Sequence, residues 1–143
     1  MQYDVSALKG RQLLAAIALA DGRLVVQDEP GWPRGDYRRL RKEFGNRHVV
    51  RWYGSRGELG GWEPIDHGGD PSRDWGLGGE IIEREKLSVQ PKLVNGSWYG
   101  DWRAVCLSWA DRQYAEATGP TPLIAAMRCY VASVLGWEID LPR

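Results

Sequence analysis

Residues 121–136 read TPLIAAMRCYVASVLG, and the fold turns on this stretch. Thr121 is a residue type whose hydroxyl accepts from the exposed amides of a first helical turn, and Pro122 suits the first helical position, where a missing N–H costs nothing. Gly136 supplies the stop. Between them Leu123, Met127, Tyr130, Val131 and Val134 fall on one stripe at helical spacing, so the segment predicts a helix with a buried face. Ala125, Ala126 and Ala132 are small enough to let another element approach closely. Upstream, Leu87–Val94 and Ser97–Leu107 read as strands around Asn95-Gly96, the dipeptide that most readily takes up a tight hairpin turn. In the second strand Trp98, Gly100 and Trp102 share one face, while Tyr99, Asp101 and Arg103 share the other. Pro91 cannot donate to a ladder and belongs at an edge or bulge.

Working outward, Gly10–Ala20 predicts the first helix. Leu13, Ile17 and Ala20 share a face with Leu14 beside it, Leu8 packs back on Leu13, and Gly22 ends it. Leu24–Gln27 reads as a short strand, Pro30–Pro33 as a loop, Asp36–Phe44 as a short helix and His48–Tyr53 as a strand. Residues 54–69 hold six glycines in sixteen positions and predict a loop. Asp70 and Pro71 start a helical turn that Gly78-Gly79 breaks, after which Glu80–Lys86 forms a second short helix with Ile81 and Ile82 inward. Trp137–Leu141 alternates and adds a final edge strand. The expected fold is α+β: a small, mostly antiparallel sheet with the N-terminal and C-terminal helices packed on one face, in a single domain over 1–143.

A chain of 143 residues with 43% hydrophobic content can bury one core, and two domains would each be very small. Nineteen basic residues balance nineteen acidic ones, so no overall charge draws the chain to nucleic acid or membrane. That balance hides an asymmetry. Residues 34–56 carry eight positive charges (Arg34, Arg38, Arg39, Arg41, Lys42, Arg47, Arg51 and Arg56) against Asp36 and Glu43, so the rest of the chain is acidic by the same surplus. The longest apolar run, Leu13–Ala20, is far short of the ~20 residues a bilayer requires, and no basic residues open a signal peptide. A soluble cytoplasmic protein is expected. Cys106 and Cys129 form no CxxC pair and read as buried thiols. Asn95-Gly96-Ser97 matches a glycosylation sequon but reads as a turn.

Asp70-Pro71-Ser72-Arg73-Asp74-Trp75-Gly76-Leu77-Gly78-Gly79 followed by Glu80–Glu85, and Gly119-Pro120-Thr121-Pro122 followed by Leu123–Ser133, resemble two signatures of NinX-like phage proteins. The opening Leu8-Lys9-Gly10-Arg11 through Ala20-Asp21-Gly22 is similar to the family's usual start, where Thr or Ser more often stands at Lys9. The resemblance covers roughly half of the chain. It implies a small protein carried by phages or prophages, working in the bacterial host cytoplasm, and it implies no catalytic residues. The basic segment 34–56 matches no part of the pattern and reads as an insertion.

No GxSxG, GxGxxG or GxxxxGK[ST] motif occurs, and neither cysteine is coupled to a recognisable histidine. His48 and His67 lack a second imidazole or thiolate at ligand spacing, so no metal and no cofactor are expected. Glu83 and Glu85, two apart on a helix, face different directions. Arg128 falls at the border of the last helix's apolar stripe, and a partly buried guanidinium needs an anionic partner. Glu83 or Glu85 is the expected internal one, giving a structural ion pair. Gly76–Gly79 before Glu80 offers amides to an anion, although Glu80 competes for the same place.

The remaining signal is eight tryptophans against one phenylalanine, set beside arginines. Arg51-Trp52-Tyr53, Arg73 with Trp75, and Trp98, Trp102 and Arg103 place flat rings next to guanidiniums, and Arg128 joins them as a candidate ligand residue. Rings stack on a base while arginines pair with phosphate oxygens, so the set suits a nucleotide-type ligand. The expectation is a non-enzymatic phage protein that captures a small nucleotide-type immune signal and withholds it. Its alternatives are an interaction module that blocks a host or phage protein, and a weak single-stranded nucleic-acid binder through Arg34–Arg56 with Tyr37, Trp52 and Tyr53. Short elements leave a limited core, so a symmetric homo-oligomer that buries exposed tryptophans is also expected.

Overall fold

The computed structural model describes residues 2–22, 24–26, 49–53, 59–64 and 69–141. The elements run β1 (Gln2–Asp4), a 3-10 turn (Val5–Ala7), α1 (Gly10–Ala20), β2 (Leu24–Val26), β3 (Val49–Tyr53), β4 (Leu59–Pro64), α2 (Trp75–Glu85), β5 (Ser88–Val94), β6 (Ser97–Cys106), β7 (Ala115–Gly119), α3 (Pro122–Leu135) and β8 (Glu138–Asp140).

Helix α3 organises the rest. Thr121 Oγ1 accepts from the Ile124 amide at 3.1 Å and Pro122 opens the first turn, as its sequence predicts. Nine of its residues are buried, among them Leu123, Met127, Tyr130 and Val131. Each large side chain buried in this way contributes roughly 1.5–3 kcal/mol. One side of α3 lies on the antiparallel sheet β5–β6–β7. There the strands alternate: Ala104, Cys106, Ala115, Ala117 and Gly119 are buried, while Glu116 and Thr118 are exposed. Small residues make the approach close. A Cβ at Gly119 would come within 2.9 Å of the Ala125 backbone nitrogen. Helices α1 and α2 pack against α3, which sets both terminal helices on one side of this sheet.

The antiparallel pairing is divided among three sheets, β1–β8, β2–β3–β4 and β5–β6–β7. In the first, Tyr3 faces Ile139, so the beginning and end of the described chain are tied together, and the Val5 amide adds a bond to the Trp137 carbonyl at 2.8 Å. Asn95 and Gly96 both have positive φ, 52° and 80°, as a two-residue hairpin turn requires. Pro91 sits on an edge strand next to a register shift. Beyond Trp102, where β7 ends opposite Gly119, the hairpin continues as a two-stranded arm exposed on both faces.

Two local expectations change. The glycine-rich stretch 54–69 is not loop throughout, because Leu59–Pro64 forms β4 against β3, with Val49 facing Pro64 and Arg51 facing Trp62. Glycine weakens a strand without forbidding it when a β-branched and aromatic partner strand supplies the ladder. Gly78-Gly79 does not break a helix: Trp75–Glu85 is continuous, capped by Asp74, whose carboxylate accepts from the Leu77 amide at 3.2 Å. Gly78 is there for closeness, since a Cβ would lie 2.4 Å from the Pro71 carbonyl oxygen and 2.6 Å from Leu123 Cδ2. Asp70 closes its own turn ahead of that helix, as expected, accepting from the Ser72 amide at 2.9 Å and hydroxyl at 2.7 Å. The expected helix Asp36–Phe44, the rest of the basic segment outside β3, and His48 and His67 lie outside the described residues.

Candidate functional site

Glu85 is the last residue of α2 and is 1% exposed. Lys86 follows in the left-handed region at φ 57°, and the Leu87 amide returns to the Ile82 carbonyl at 3.0 Å, which turns the chain sharply into β5. The Glu85 side chain is thereby held inside the corner. Its ceiling is Trp109, from the β6–β7 connection, whose indole N–H donates to the Glu85 carbonyl at 3.2 Å. Lys86 Nζ lies 4.0 Å from the centre of the same ring, covering it with a cation–π contact.

Two guanidiniums converge on the buried carboxylate. Arg112 donates from Nε to Oε1 and from Nη2 to Oε2, the second at 3.3 Å, in a forked pair. Arg84 donates from Nε to Oε2 at 3.1 Å. Burial by itself would raise the Glu85 carboxyl, but hydrogen bonds and charge from Arg112 and Arg84 outweigh it and hold the group below its ordinary range. Arg84 extends the cluster: its Nη2 reaches Asp21 Oδ1 at 3.3 Å and its guanidinium lies 5.4 Å from the Tyr130 ring centre. The Tyr130 hydroxyl donates to the same Asp21 oxygen at 2.6 Å. Burial first, and then this bond to a carboxylate, push the phenol up. Asp21 is the residue just past α1, so the cluster fastens α1, α2, α3 and the β6–β7 connection at one point.

The cluster forms the polar end of a cleft of about 460 Å³. Leu14, Ile17 and Ala18 from α1 line it, facing Pro71 and then Leu77 and Ile81 from α2; Asp21, Glu80, Arg84, Arg112 and Tyr130 supply its polar groups. Aliphatic and polar groups share the lining and the polar ones supply more of its exposed surface, so it is wetter than the mostly apolar lining of an ordinary small-molecule site. Guanidinium carries five N–H donors. The bonds above use two of those on Arg84, leaving donors for a guest.

Apart from Glu85, the described residues nominated from sequence are placed elsewhere. Arg128 is not paired with Glu83 or Glu85. It donates from Nε to the Leu8 carbonyl at 2.8 Å and from Nη1 to the Thr118 carbonyl at 2.9 Å, and burial lowers its pKa. Those two carbonyls, one before α1 and one on β7, satisfy the guanidinium without a carboxylate, and Glu83 is exposed. Trp98 and Trp102 meet edge to face at 5.7 Å on the hairpin arm, with the Trp98 indole N–H donating to the Asp101 carbonyl at 2.8 Å. Arg103 pairs with Glu116 on β7, and Glu116 in turn accepts from the Tyr114 hydroxyl at 3.1 Å. Trp75 is 61% exposed at the start of α2, and Arg73 is exposed on the turn before it. None of these described residues lines the cleft. Arg51, Trp52 and Tyr53 stand on β3, whose side chains are outside the described set. The glycine-rich start of α2 already has an anion, the Asp74 carboxylate that caps it. Arg84, Arg112, Asp21, Tyr130 and Trp109 were not singled out from sequence. Only the adjacency of Arg84 and Glu85 inside a signature hinted at them.

Among the described residues no three His, Cys, Asp or Glu side chains are placed to hold a metal ion, and no helix is long and apolar enough to cross a membrane. The fold is that of a small α+β protein with its terminal helices on one side of an antiparallel sheet. Residues 4–134 match the family described as Bacteriophage P22, NinX, so the match spans nearly the whole chain, and the chain belongs to that family of phage proteins. No curated protein matches it.

Proposed function

We propose that this phage accessory protein works by binding rather than by turnover, capturing a small nucleotide-type signal of the host in the cleft between α1, α2 and α3 and withholding it. The observation that carries this reading is the buried Glu85 carboxylate, which fixes the Arg84 and Arg112 guanidiniums in the lining of a cleft of mixed aliphatic and polar make-up. Burying a carboxylate is costly, and a hydrophobic replacement of the whole cluster is often neutral or stabilising. An ion cluster kept at the mouth of a cleft is therefore explained better by what it presents than by stability. Donors already held in place lose little freedom when a ligand arrives, which favours tight capture. A thermal-shift panel of cyclic nucleotides and ADP-ribose derivatives tests the reading. Ligand at 100 times Kd adds about 2.7 kcal/mol, which is several degrees in melting temperature. At least one member should stabilise the protein and be recovered chemically unchanged. A flat melting temperature across the panel would contradict the reading.

Self-association is a second reading with its own support. The hairpin arm exposes Leu93, Val94, Trp98 and Tyr99, at 60%, 47%, 52% and 77%. Leu93 and Trp98 stand on one face of the arm and Val94 and Tyr99 on the other, so a second copy would have to grip the arm on both sides to cover them. Light scattering at micromolar concentration should give twice the chain mass, and Tyr99→Glu should return the monomer mass. A monomer throughout would end this reading.

A further inference from the structure

The charge and shape of the cleft decide which part of a ligand enters it, and this step rests on the cleft being the binding site. Among the described residues its lining carries two positive groups, Arg84 and Arg112, and two negative ones, Asp21 and Glu80. Glu85 accepts from both guanidiniums, so these described groups balance negative by one charge. A phosphate group entering here would meet arginines already neutralised by carboxylates, with Asp21 and Glu80 repelling it. A group that both donates and accepts meets the opposite situation. Asp21 Oδ1 takes the Tyr130 hydroxyl and Arg84, and no described residue donates to its second oxygen, which can accept from a guest N–H. Arg84 retains N–H donors for a guest carbonyl or ring nitrogen. The aliphatic share of the cleft is small: Leu14, Ile17, Ala18 and Ile81 line it but are buried, and Leu77 is half-buried.

We infer that the cleft takes an uncharged planar heterocycle bearing adjacent hydrogen-bond donor and acceptor groups, a nucleobase or its close chemical equivalent, with Asp21 accepting from its edge and Arg84 donating to it. Any phosphates of the same ligand stay outside the cleft. The guest is recognised by its hydrogen-bonding edge, so discrimination among bases follows the donor and acceptor pattern. A site built to hydrogen-bond an edge rejects analogues lacking it much more strongly than an aliphatic pocket rejects a change in size.

Calorimetric titration of the wild-type chain with the four common ribonucleosides, their 5′-monophosphates, inorganic phosphate and pyrophosphate tests the inference. One nucleoside and its monophosphate should bind with affinities within about threefold of each other, and neither phosphate nor pyrophosphate should bind or compete. Asp21→Asn, which replaces an accepting oxygen by a donor, should weaken that nucleoside at least tenfold. The nucleoside-against-phosphate comparison needs no variant, so it stands even if Asp21→Asn fails to fold. Affinity that climbs with phosphate count, competition by pyrophosphate, or tighter binding in Asp21→Asn overturns the inference while leaving capture in the cleft intact. Binding of none of these probes, together with a flat thermal-shift panel, removes both.

Discussion

Replacing Glu85 by Gln keeps the shape of the side chain and removes one charge from the centre of the cluster. Leaving a buried ion without its partner costs about 3–5 kcal/mol. The two arginines do not share that loss equally. The Arg84 side chain is 52% exposed and Arg112 only 20%, so solvent screens the first contact and not the second. An exposed pair contributes less than about 1 kcal/mol. The expected loss is therefore about 3 kcal/mol, carried mostly by Arg112, and it should lower the melting temperature by about 10 °C for a chain of this size. Urea denaturation measures it as a drop in midpoint with unchanged slope. A double-mutant cycle of Glu85→Gln with Arg112→Met should give coupling of about 2 kcal/mol, and the cycle with Arg84→Met less than about 1 kcal/mol. pH adds a sign. The folded carboxyl is held below its ordinary value of 4.5, so the unfolded chain takes up the proton first as pH falls. This stability is complete above pH 4.5 and is lost as pH drops through the folded value, and Glu85→Gln should lack that part of the acid dependence. A loss under about 0.5 kcal/mol, or coupling larger with Arg84 than with Arg112, would refute the reasoning.

Gly78→Ala should destabilise by about 1–3 kcal/mol despite the better helix propensity of alanine, because the added methyl meets the Pro71 carbonyl and Leu123. Gly79→Ala, with nothing within 4 Å of its Cβ position, should instead stabilise by up to about 1 kcal/mol, and chemical denaturation of the pair checks both signs. Arg128→Met should cost about 1–3 kcal/mol through its two lost carbonyl bonds, and its effect should add to that of Glu85→Gln without coupling. Burial pushes the Cys129 thiol up to about 12, and Cys106 is buried too, so an aromatic disulfide reagent at pH 8 should find no fast-reacting thiol until the protein is unfolded, when two react.

Features written in adjacent residues were legible in the sequence. The span of α1, the cap and proline of α3, the Asn95-Gly96 turn and the edge position of Pro91 each follow from local chemistry, and the structure has them. The glycines of α2 misled for a physical reason: their missing Cβ serves contact with Pro71 and Leu123, which no local rule contains. The cluster was legible only in part. Glu85 could be named, beside Glu83, only as a partner for Arg128, whereas its actual partner lies 27 residues further on, on a connection whose position depends on the β6–β7 pairing. Arg128 shows the converse, since a guanidinium at the edge of a buried stripe can be satisfied by backbone carbonyls that carry no sequence mark. Trp75, Trp98 and Trp102 stand away from this cleft, and an indole on a hairpin arm and one beside a cleft look alike in a list of residues.

Methyl-resolved NMR during titration with the strongest ligand from the thermal-shift panel bears most directly on where and how this protein binds. The account predicts shift changes concentrated on the methyls of Leu14, Ile17, Leu77 and Ile81, saturating together, with the Trp98 and Trp102 indole signals unmoved. Changes confined to the hairpin indoles, or spread evenly with no cleft methyl among the largest, would contradict it.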